Sequence, residues 1–415
     1  MSRTSSWWDC RNGWIEQIME NITIAIPSYW GSADGCSDAG EVIMFDHPTP
    51  LNQEGTLARL LDSLELIRSE EFKVVILAVA NTPHLTRDVI VRIQEITKPY
   101  SSLYDITVLH SRNLASLRRA LISEGVSETA CELIGLDSYP AVRNMCSLAG
   151  ILSGSTITVF LDDDEVITDK RFLNKAREFL GIEHEHRMVQ AVAGYYLQPQ
   201  SFRLDVDRVP RWRRPYWNNA ACMNEAFEVV IGRPPRLKPT PFVFGGNMVL
   251  HRDILMKVPF DPLITRGEDI DFLINLRING IAFWLDRELS VRHLPPKVSA
   301  PAWRSLREDI KRFLYERKKV MDHEGIEGVS QEELMPYPGT FLGQDLEERI
   351  TRTNELLKEE YEKLQDKRGM DECEVNIGLA RRNPYKGIDT CRHLQDLTTR
   401  WQEFTRAAAG RVIQE

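Results

Sequence analysis

The strongest constraint on the fold is an alternation of short apolar runs with helical segments between residues 22 and 160. One strand is predicted from Ile22 to Ile26, where Pro27 stops it, and a second strand ends at Asn81. Leucines and isoleucines at helical spacing lie between such runs, and Pro140 opens a helix that leads into the run "ITVFL". Alternating strands and helices predict a mostly parallel sheet with helices on both faces, a Rossmann-like α/β fold.

Four consecutive acidic side chains follow the last of these runs, in the stretch "ITVFLDDDEVIT". The run is apolar on both faces, which indicates a central strand, and ligands bind at the carboxyl ends of such strands. Aspartates at this place suit a hard cation, Mg²⁺ or Mn²⁺, that also binds phosphate oxygens. His293, just before two prolines, either completes the metal's ligands or is structural. The simpler alternative for the acidic run is a solvated turn.

Composition excludes several classes of protein. The formal net charge of −9 argues against general binding to nucleic acid. We find no apolar stretch of the roughly 18 to 20 residues that a transmembrane helix needs. The seven cysteines are scattered, odd in number and never spaced as Cys-x-x-Cys, which favours reduced thiols in a cytoplasmic enzyme.

A basic, aromatic loop and a second acidic cluster follow residue 200. The loop from Arg203 to Trp217 is interpreted as a lid over an acceptor, or else as a solvated surface loop. As a lid, its tryptophans would stack on a sugar and its arginines would bind an anion. These residues are Trp212, Trp217, Arg211, Arg213 and Arg214.

The second acidic cluster, Glu268, Asp269 and Asp271, lies where a predicted helix begins. One acidic residue would be enough to cap that helix, so three suggest a general base for a hydroxyl acceptor. From residue 296 the chain becomes helical and highly charged. We therefore predict an arm over 1–21, an α/β domain over 22–295, and a helical region over 296–415 that packs on the core or forms a homo-oligomer.

Six stretches in order resemble a GT-A-fold, family-2-type nucleotide-sugar glycosyltransferase. They are "AIPSYW", "VANTP", "AVRNMCSLAGILSGSTITVFLDDDE", "FGGNMVLHRDIL", "RGEDIDFLINLRINGIAFWL" and "VRHLPP". The resemblance implies a nucleotide-diphosphate-sugar donor, Mn²⁺ or Mg²⁺, and transfer to a soluble, anionic or carbohydrate acceptor. Because the motif Gln-x-x-Arg-Trp and the membrane helices of processive members are missing, it also implies a single addition. The stretch "GED" matches the Glu-Asp pair of inverting members, so the resemblance implies inversion.

Residue roles follow from the same resemblance. The metal ligands would be Asp162, Asp164 and His293, and the general base would be Asp269. The donor would contact Pro27, Tyr29, Asn81, Arg143, Asp162 and Asp163. The acceptor would contact Trp212, Arg214, Gly246, Asn247 and Glu268. Asn81 stands where such enzymes usually carry an acidic residue that contacts the base, which puts uridine in doubt.

The sequence leaves two other functions open. The stretch "FLDDDEVIT" also fits the nucleophile motif of haloacid-dehalogenase-type phosphatases, although those enzymes carry it on their first strand. A non-catalytic nucleotide-sugar-binding module on the same scaffold is the other alternative, and the intact acidic motifs argue against it.

Overall fold

The computed structural model describes residues 21–32, 45–46, 48–198, 201–296 and 300–411. The predicted N-terminal arm therefore lies outside the described residues, except for Asn21. The described residues form twelve strands: β1 (Ile22–Gly31), β2 (Thr49–Pro50), β3 (Lys73–Ala80), β4 (Asp105–Leu109), β5 (Ile157–Phe160), β6 (Glu165–Val166), β7 (Glu183–His184), β8 (Arg187–Met188), β9 (Ala191–Leu197), β10 (Leu237–Pro239), β11 (Met248–His251) and β12 (Trp284–His293).

Thirteen α-helices are described along the chain, of which the last four form the C-terminal region. They are α1 (Leu57–Ser63), α2 (Thr86–Thr97), α3 (Ser111–Ser123), α4 (Glu128–Cys131), α5 (Tyr139–Leu152), α6 (Phe172–Glu178), α7 (Asn219–Val230), α8 (Arg252–Leu255), α9 (Glu268–Ile278), α10 (Ala302–Asp322), α11 (Leu346–Lys363), α12 (Lys367–Arg382) and α13 (Thr390–Ala408).

The main sheet has the strand order β10-β12-β9-β11-β5-β1-β3-β4. Strands β4, β3, β1 and β5 run parallel, whereas β11 is antiparallel to both of its neighbours. The predicted α/β fold with a mostly parallel sheet is confirmed, and β5, which precedes the acidic run, is central. Strand β1 does not stop at Pro27 but continues to Gly31. Because β5 pairs only as far as Ala25, Pro27 has β3 alone beside it, a position that tolerates a missing N–H.

Two hydrophobic clusters lie on the two faces of the sheet, as the prediction of helices on both faces requires. One cluster contains side chains of α1, α2 and α6, and the other contains those of α3, α5 and α9. The second cluster also includes buried residues of α10, α11 and α13, such as Phe313, Leu357 and Trp401. The C-terminal helices therefore share a core with the sheet, although Met321, near the end of α10, is 66% exposed. The boundary at residue 296 and the homo-oligomer stay predictions.

A buried ionic network fastens helix α10 to the rest of the molecule. Lys319 donates to Asp261 at 2.9 Å and to Asp271 at 2.6 Å, and all three side chains are fully buried. Trp401 of α13 adds a hydrogen bond of 2.7 Å to the carbonyl of Leu255. Buried charges are tolerated when they are paired in this way, and removing one partner would be strongly destabilising.

Two further expectations concern cysteines and membranes. The five cysteines in the described ranges are free thiols, and Cys10 and Cys36 lie outside those ranges. In the part of the chain that the structure describes, no helix combines the length and apolar character needed to cross a membrane.

Candidate active site

A cavity of about 630 Å³ opens at the carboxyl ends of β1 and β5. Its wall combines the acidic turn after β5, the first turns of α5 and α9, the end of β12, the loop over 204–213 and one side of α10. The cavity brings together nine residues that the sequence assigned to a site: Tyr29, Arg143, Asp162, Asp163, Asp164, Arg213, Glu268, Asp269 and His293.

The positive charge that faces the acidic turn belongs to Arg143. Its Nη1 and Nη2 donate to the two carboxylate oxygens of Asp162 at 2.7 and 3.0 Å, and its Nε donates to Glu268 at 3.0 Å. Arg143 lies in the first turns of α5, a helix capped by Ser138, and is almost completely buried. One guanidinium thus connects the turn after β5 with the start of α9.

Asp163 and Asp164 point in different directions from the same turn. Asp163 accepts a hydrogen bond of 2.6 Å from Ser28 of β1, and burial raises its pKa well above the ordinary range. Asp164 lies with Oδ2 3.3 Å from Nε2 of His293. Pairing of β6 with β12 aligns His293 with Glu165, and this strand contact brings the histidine to the turn. Asp163 is therefore hydrogen-bonded to a strand of the sheet, whereas Asp164 and His293 contact each other at the cavity wall.

The chemistry of this turn fits a divalent cation in part. A carboxylate and an imidazole that meet from two elements are suitable ligands for Mn²⁺, and Mg²⁺ is commonly held by one or two carboxylates and substrate phosphates. Among the described residues, no group of three or more His, Cys, Asp or Glu side chains is arranged to hold a metal. Both carboxylate oxygens of Asp162 are already bonded to Arg143. The fit therefore concerns Asp164 and His293, with room for oxygen ligands from a substrate.

The three acidic residues of α9 have three different environments. Glu268 pairs with Arg143, and burial raises its pKa to about 7 despite that partner. Asp271 is fully buried and bonded to Lys319, so it belongs to the ionic network. Asp269 lines the cavity and accepts the backbone N–H groups of Gly245 and Ile270 at 3.0 and 2.8 Å. Burial raises the pKa of Asp269, which Arg312 partly offsets.

The two glycines before β11 allow the backbone to approach the acidic turn. A Cβ at Gly246 would collide with Glu165 and come within 2.7 Å of Asp162 Oδ2. The Gly246 N–H donates to the hydroxyl of Tyr196 at 2.9 Å. Only glycine fits at this place, and it is the neighbouring Gly245 that lines the cavity.

Three other expected site residues lie within a strand or directly beside one rather than on the described cavity wall. Asn247 is fully buried, and its amide donates to the carbonyls of Tyr195 and Leu289, so its role is structural. Pro27 lies inside the β1–β3 pairing. Asn81 is buried beside β1, with its backbone N–H bonded to Trp30 at 2.9 Å.

The basic loop lines the cavity, but most of the residues expected to bind an acceptor there are held elsewhere. Trp217 is fully buried, makes edge-on and tilted ring contacts with Phe313 and Phe341, and donates its Nε1–H to Asp309 at 3.3 Å. Its assignment to sugar stacking is therefore wrong. Trp212 packs against the core. Arg214 donates to the carbonyls of Val209 and Asp207 within its own loop. In the described structure Arg213, one of the expected arginines, does line the cavity, together with Arg208, which the sequence had not assigned to the site.

Sequence reasoning missed the contribution of the C-terminal region to the site. Asp309 and Arg312 of α10 and Tyr337 after it line the cavity. A signal was available, because Asp309, Arg312, Glu316 and Lys319 recur at the spacing of one helix face. All four are buried, so this charged stripe faces the interior.

Comparisons with known proteins concern the fold. No family model and no curated protein sequence matches the chain. Among solved structures, a mannosyltransferase from Pyrobaculum calidifontis in complex with GDP-Man and Mn²⁺ is similar at 13% identity and a TM-score of 0.44, over 94% of this chain and 86% of that one. A Mycobacterium tuberculosis glucosyl-3-phosphoglycerate synthase in complex with Mn²⁺ and UDP-Glc is similar at 15% identity and a TM-score of 0.38, over 74% and 80% of the two chains.

A mouse xyloside xylosyltransferase structure is also similar, at 14% identity and a TM-score of 0.27, over 61% of this chain and 75% of that one. These neighbours are glycosyltransferases, the class that the sequence motifs resemble. With TM-scores below 0.5, the chemistry of this chain has to be argued from its own side chains.

Proposed function

We propose that this protein is a metal-dependent glycosyltransferase that moves a sugar from a nucleotide-diphosphate sugar to a hydroxyl acceptor, once and with inversion. The observation that carries the proposal is the meeting, in one cavity, of the Asp164–His293 pair and the carboxylate of Asp269. The Asp164–His293 pair suits a cation that binds a diphosphate, and the carboxylate of Asp269 suits proton removal from a hydroxyl group. The free thiols of the described part favour a cytoplasmic enzyme.

The donor half of the reaction needs positive charge where the leaving group forms. Asp164 and His293 would hold Mn²⁺ or Mg²⁺, which supplies, when bound, charge that stabilises the departing nucleotide diphosphate. Arg143 keeps the acidic turn in place by binding both oxygens of Asp162. Tyr29, which lines the same cavity and packs on Phe45 and Tyr139, would support the nucleoside.

The acceptor half needs a base. The acceptor oxygen forms a bond to the anomeric carbon, the bond from that carbon to the phosphate oxygen breaks, and its electron pair leaves with the nucleotide diphosphate. The proton of the acceptor hydroxyl passes to the carboxylate of Asp269. Two backbone N–H groups hold this carboxylate in place, and its raised pKa makes it a stronger base.

Two observations disfavour the phosphatase alternative. The acidic turn follows the fifth strand of the described residues rather than the first, and Arg143 donates to both oxygens of Asp162, the nucleophile such an enzyme would need. An inert binding module would not need the second carboxylate at Asp269.

A donor-binding experiment tests the proposal. Calorimetry with UDP, GDP and ADP, each with Mn²⁺ and with a chelator, should show metal-dependent affinity for at least one nucleotide. Asp164→Ala should abolish the metal dependence, whereas Asp253→Ala, on the exposed start of α8, should keep it. Nucleotide affinity that is the same in Mn²⁺ and chelator would refute the metal site. Release of phosphate from simple phosphate esters without a nucleotide sugar would favour the phosphatase.

A further inference from the structure

Arg312 of α10 lines the cavity and has one buried nitrogen that no described residue satisfies. Its Nε donates to Glu316 at 2.8 Å and its Nη1 to the hydroxyl of Tyr337 at 3.3 Å. Its Nη2 is buried and has no hydrogen-bond partner among the described residues. The side chain is only 7% exposed, yet Arg312 is part of the cavity wall. A buried N–H without a partner is unfavourable, so this nitrogen indicates a ligand.

The position of Arg312 relates it to the proposed base. Its guanidinium lies against Gly267, the residue before α9, where any Cβ would collide with it. Gly267 also has φ +72°, a left-handed conformation that favours glycine. Arg312 is the cation with the largest effect in lowering the pKa of Asp269. Arg312 and Asp269 line the same cavity, so an anion bound by Arg312 would share that cavity with the carboxylate that would take the acceptor's proton.

The other arginines on this side of the cavity already have carboxylate partners. Asp309 binds Arg213 at 2.9 Å and Arg266 at 3.1 Å, and Arg266 also binds Asp46 at 3.1 Å. Arg312 has one carboxylate partner, Glu316, and it bonds through Nε. The Nη2 group of Arg312 is therefore the donor that an incoming anion can use with the least rearrangement of existing ion pairs.

We propose that Arg312 binds an anionic group of the acceptor, a carboxylate or a phosphate, and so selects small hydroxy acids or phosphorylated alcohols. This inference rests on the proposed glycosyl transfer. A guanidinium forms strong charge-assisted hydrogen bonds to either anion. A site built to bond such a group rejects analogues that lack it far more strongly than an apolar pocket would. Helix α10 is then part of the acceptor site.

The test measures anion binding without donor or metal. Thermal shifts of the whole chain are recorded against inorganic phosphate, glycolate and ethylene glycol, at constant ionic strength with chloride. Phosphate or glycolate should stabilise the protein with a measurable dissociation constant, and ethylene glycol should not. The anion with the lower constant identifies the acceptor group as phosphate or carboxylate.

The variants separate a ligand contact from a structural role. Arg312→Gln alone leaves Glu316 buried without its partner and can unfold the chain, so the informative variant is the double Arg312→Gln/Glu316→Gln. The double variant should raise the dissociation constant of the bound anion by at least about 10-fold, which corresponds to a loss of about 1.4 kcal/mol of binding free energy. Arg317→Gln, on the same helix but paired with Glu347, should bind the anion normally.

Equal anion binding by the wild type and the folded double variant would overturn the proposal, as would the absence of anion binding by the wild type. Metal-dependent nucleotide binding, measured separately, keeps this outcome distinct from failure of the proposed function. If nucleotides bind and anions do not, the result supports the proposed glycosyl transfer and contradicts the proposed anion site. If anions bind through Arg312 and nucleotides do not, the result supports the anion site and contradicts the proposed glycosyl transfer.

Discussion

Arg143 and Asp162 form a bidentate ion pair, with both guanidinium Nη atoms within 3.0 Å of the two carboxylate oxygens. Arg143 comes from α5 and Asp162 from the turn after β5, and the Nε of the same arginine reaches Glu268 at the start of α9. The acidic turn and the helix that carries Asp269 are thus joined through one buried side chain. Their relative position depends on it.

Arg143→Gln should therefore destabilise the protein and weaken the donor site. Both Asp162 and Glu268 would lose their cation, and breaking a buried ion pair typically costs about 3–5 kcal/mol. Urea denaturation measures the free energy of unfolding. Arg68→Gln is the matched control, because its pair with Glu65 is more than half exposed and should contribute less than about 1 kcal/mol. An equal loss of unfolding free energy for Arg143→Gln and Arg68→Gln would contradict the view that burial makes the Arg143 ion pairs more important for stability.

Asp269→Asn should lower kcat by at least about 100-fold and leave the affinity for the nucleotide nearly unchanged. The amide keeps the size of the side chain but cannot accept the proton. Steady-state kinetics and calorimetry on the same preparation measure both quantities. Asp271→Asn should instead lower stability more than turnover, because Asp271 is bonded to Lys319 and lies outside the described cavity wall. Near-normal turnover of Asp269→Asn would point to a retaining transfer without a protein base.

Glu316 should make stability depend on pH. Burial raises its pKa from 4.5 to about 7, although Arg312 and Lys319 oppose the shift and Asp271 adds to it. Between these values the unfolded chain has released the proton and the native chain has kept it, so stability falls as the pH rises from about 4.5 to about 7. Glutamine does not titrate.

The free energy of unfolding of Glu316→Gln, taken relative to wild type, should therefore rise by about 3 kcal/mol over that window and stay level above it. Denaturation at several values between pH 4.5 and pH 8 checks the prediction. A difference between the two proteins that does not change with pH would show that Glu316 ionises normally.

Trp217→Ala should destabilise the protein by about 3–5 kcal/mol, the usual cost of removing a large buried aromatic side chain. The indole is fully buried against Phe313 and Phe341, and its N–H reaches Asp309. Trp212→Ala, in the same loop, removes a partly buried ring and should cost clearly less. Thermal melting of both variants gives the comparison. A larger loss for Trp212 would mean that the loop packs differently.

Much of the fold and part of the site could be predicted from local patterns. The β-branched runs and helical leucine spacing were enough for β1, β3 and β5, because apolar periodicity reflects which faces are buried. The acidic run after β5 could be placed at the carboxyl edge of the sheet, where ligands bind, and the second acidic cluster could be placed at the start of a helix. Asp164, Asp269 and His293, which the motif resemblance assigned to the site, all line the cavity.

Predictions failed where a side chain's direction depends on distant partners. Trp212, Arg214 and Asn247 have the chemistry of binding residues, but the core, the loop carbonyls and the sheet carbonyls hold them away from the cavity. Composition predicts that a loop rich in arginine and tryptophan can bind a ligand. It does not show which of those side chains the protein itself uses.

The sequence alone carries the alternation of strands and helices and the two acidic clusters, because both are patterns of neighbouring residues. Tertiary structure decides which charges meet: Arg143 with Asp162, Asp271 with Lys319, and Arg312 with the start of α9. These contacts join elements far apart in the chain, and they depend on helices packing to within a few ångströms. Burial then makes the pairings strong and selective, since a charge out of water must find a partner.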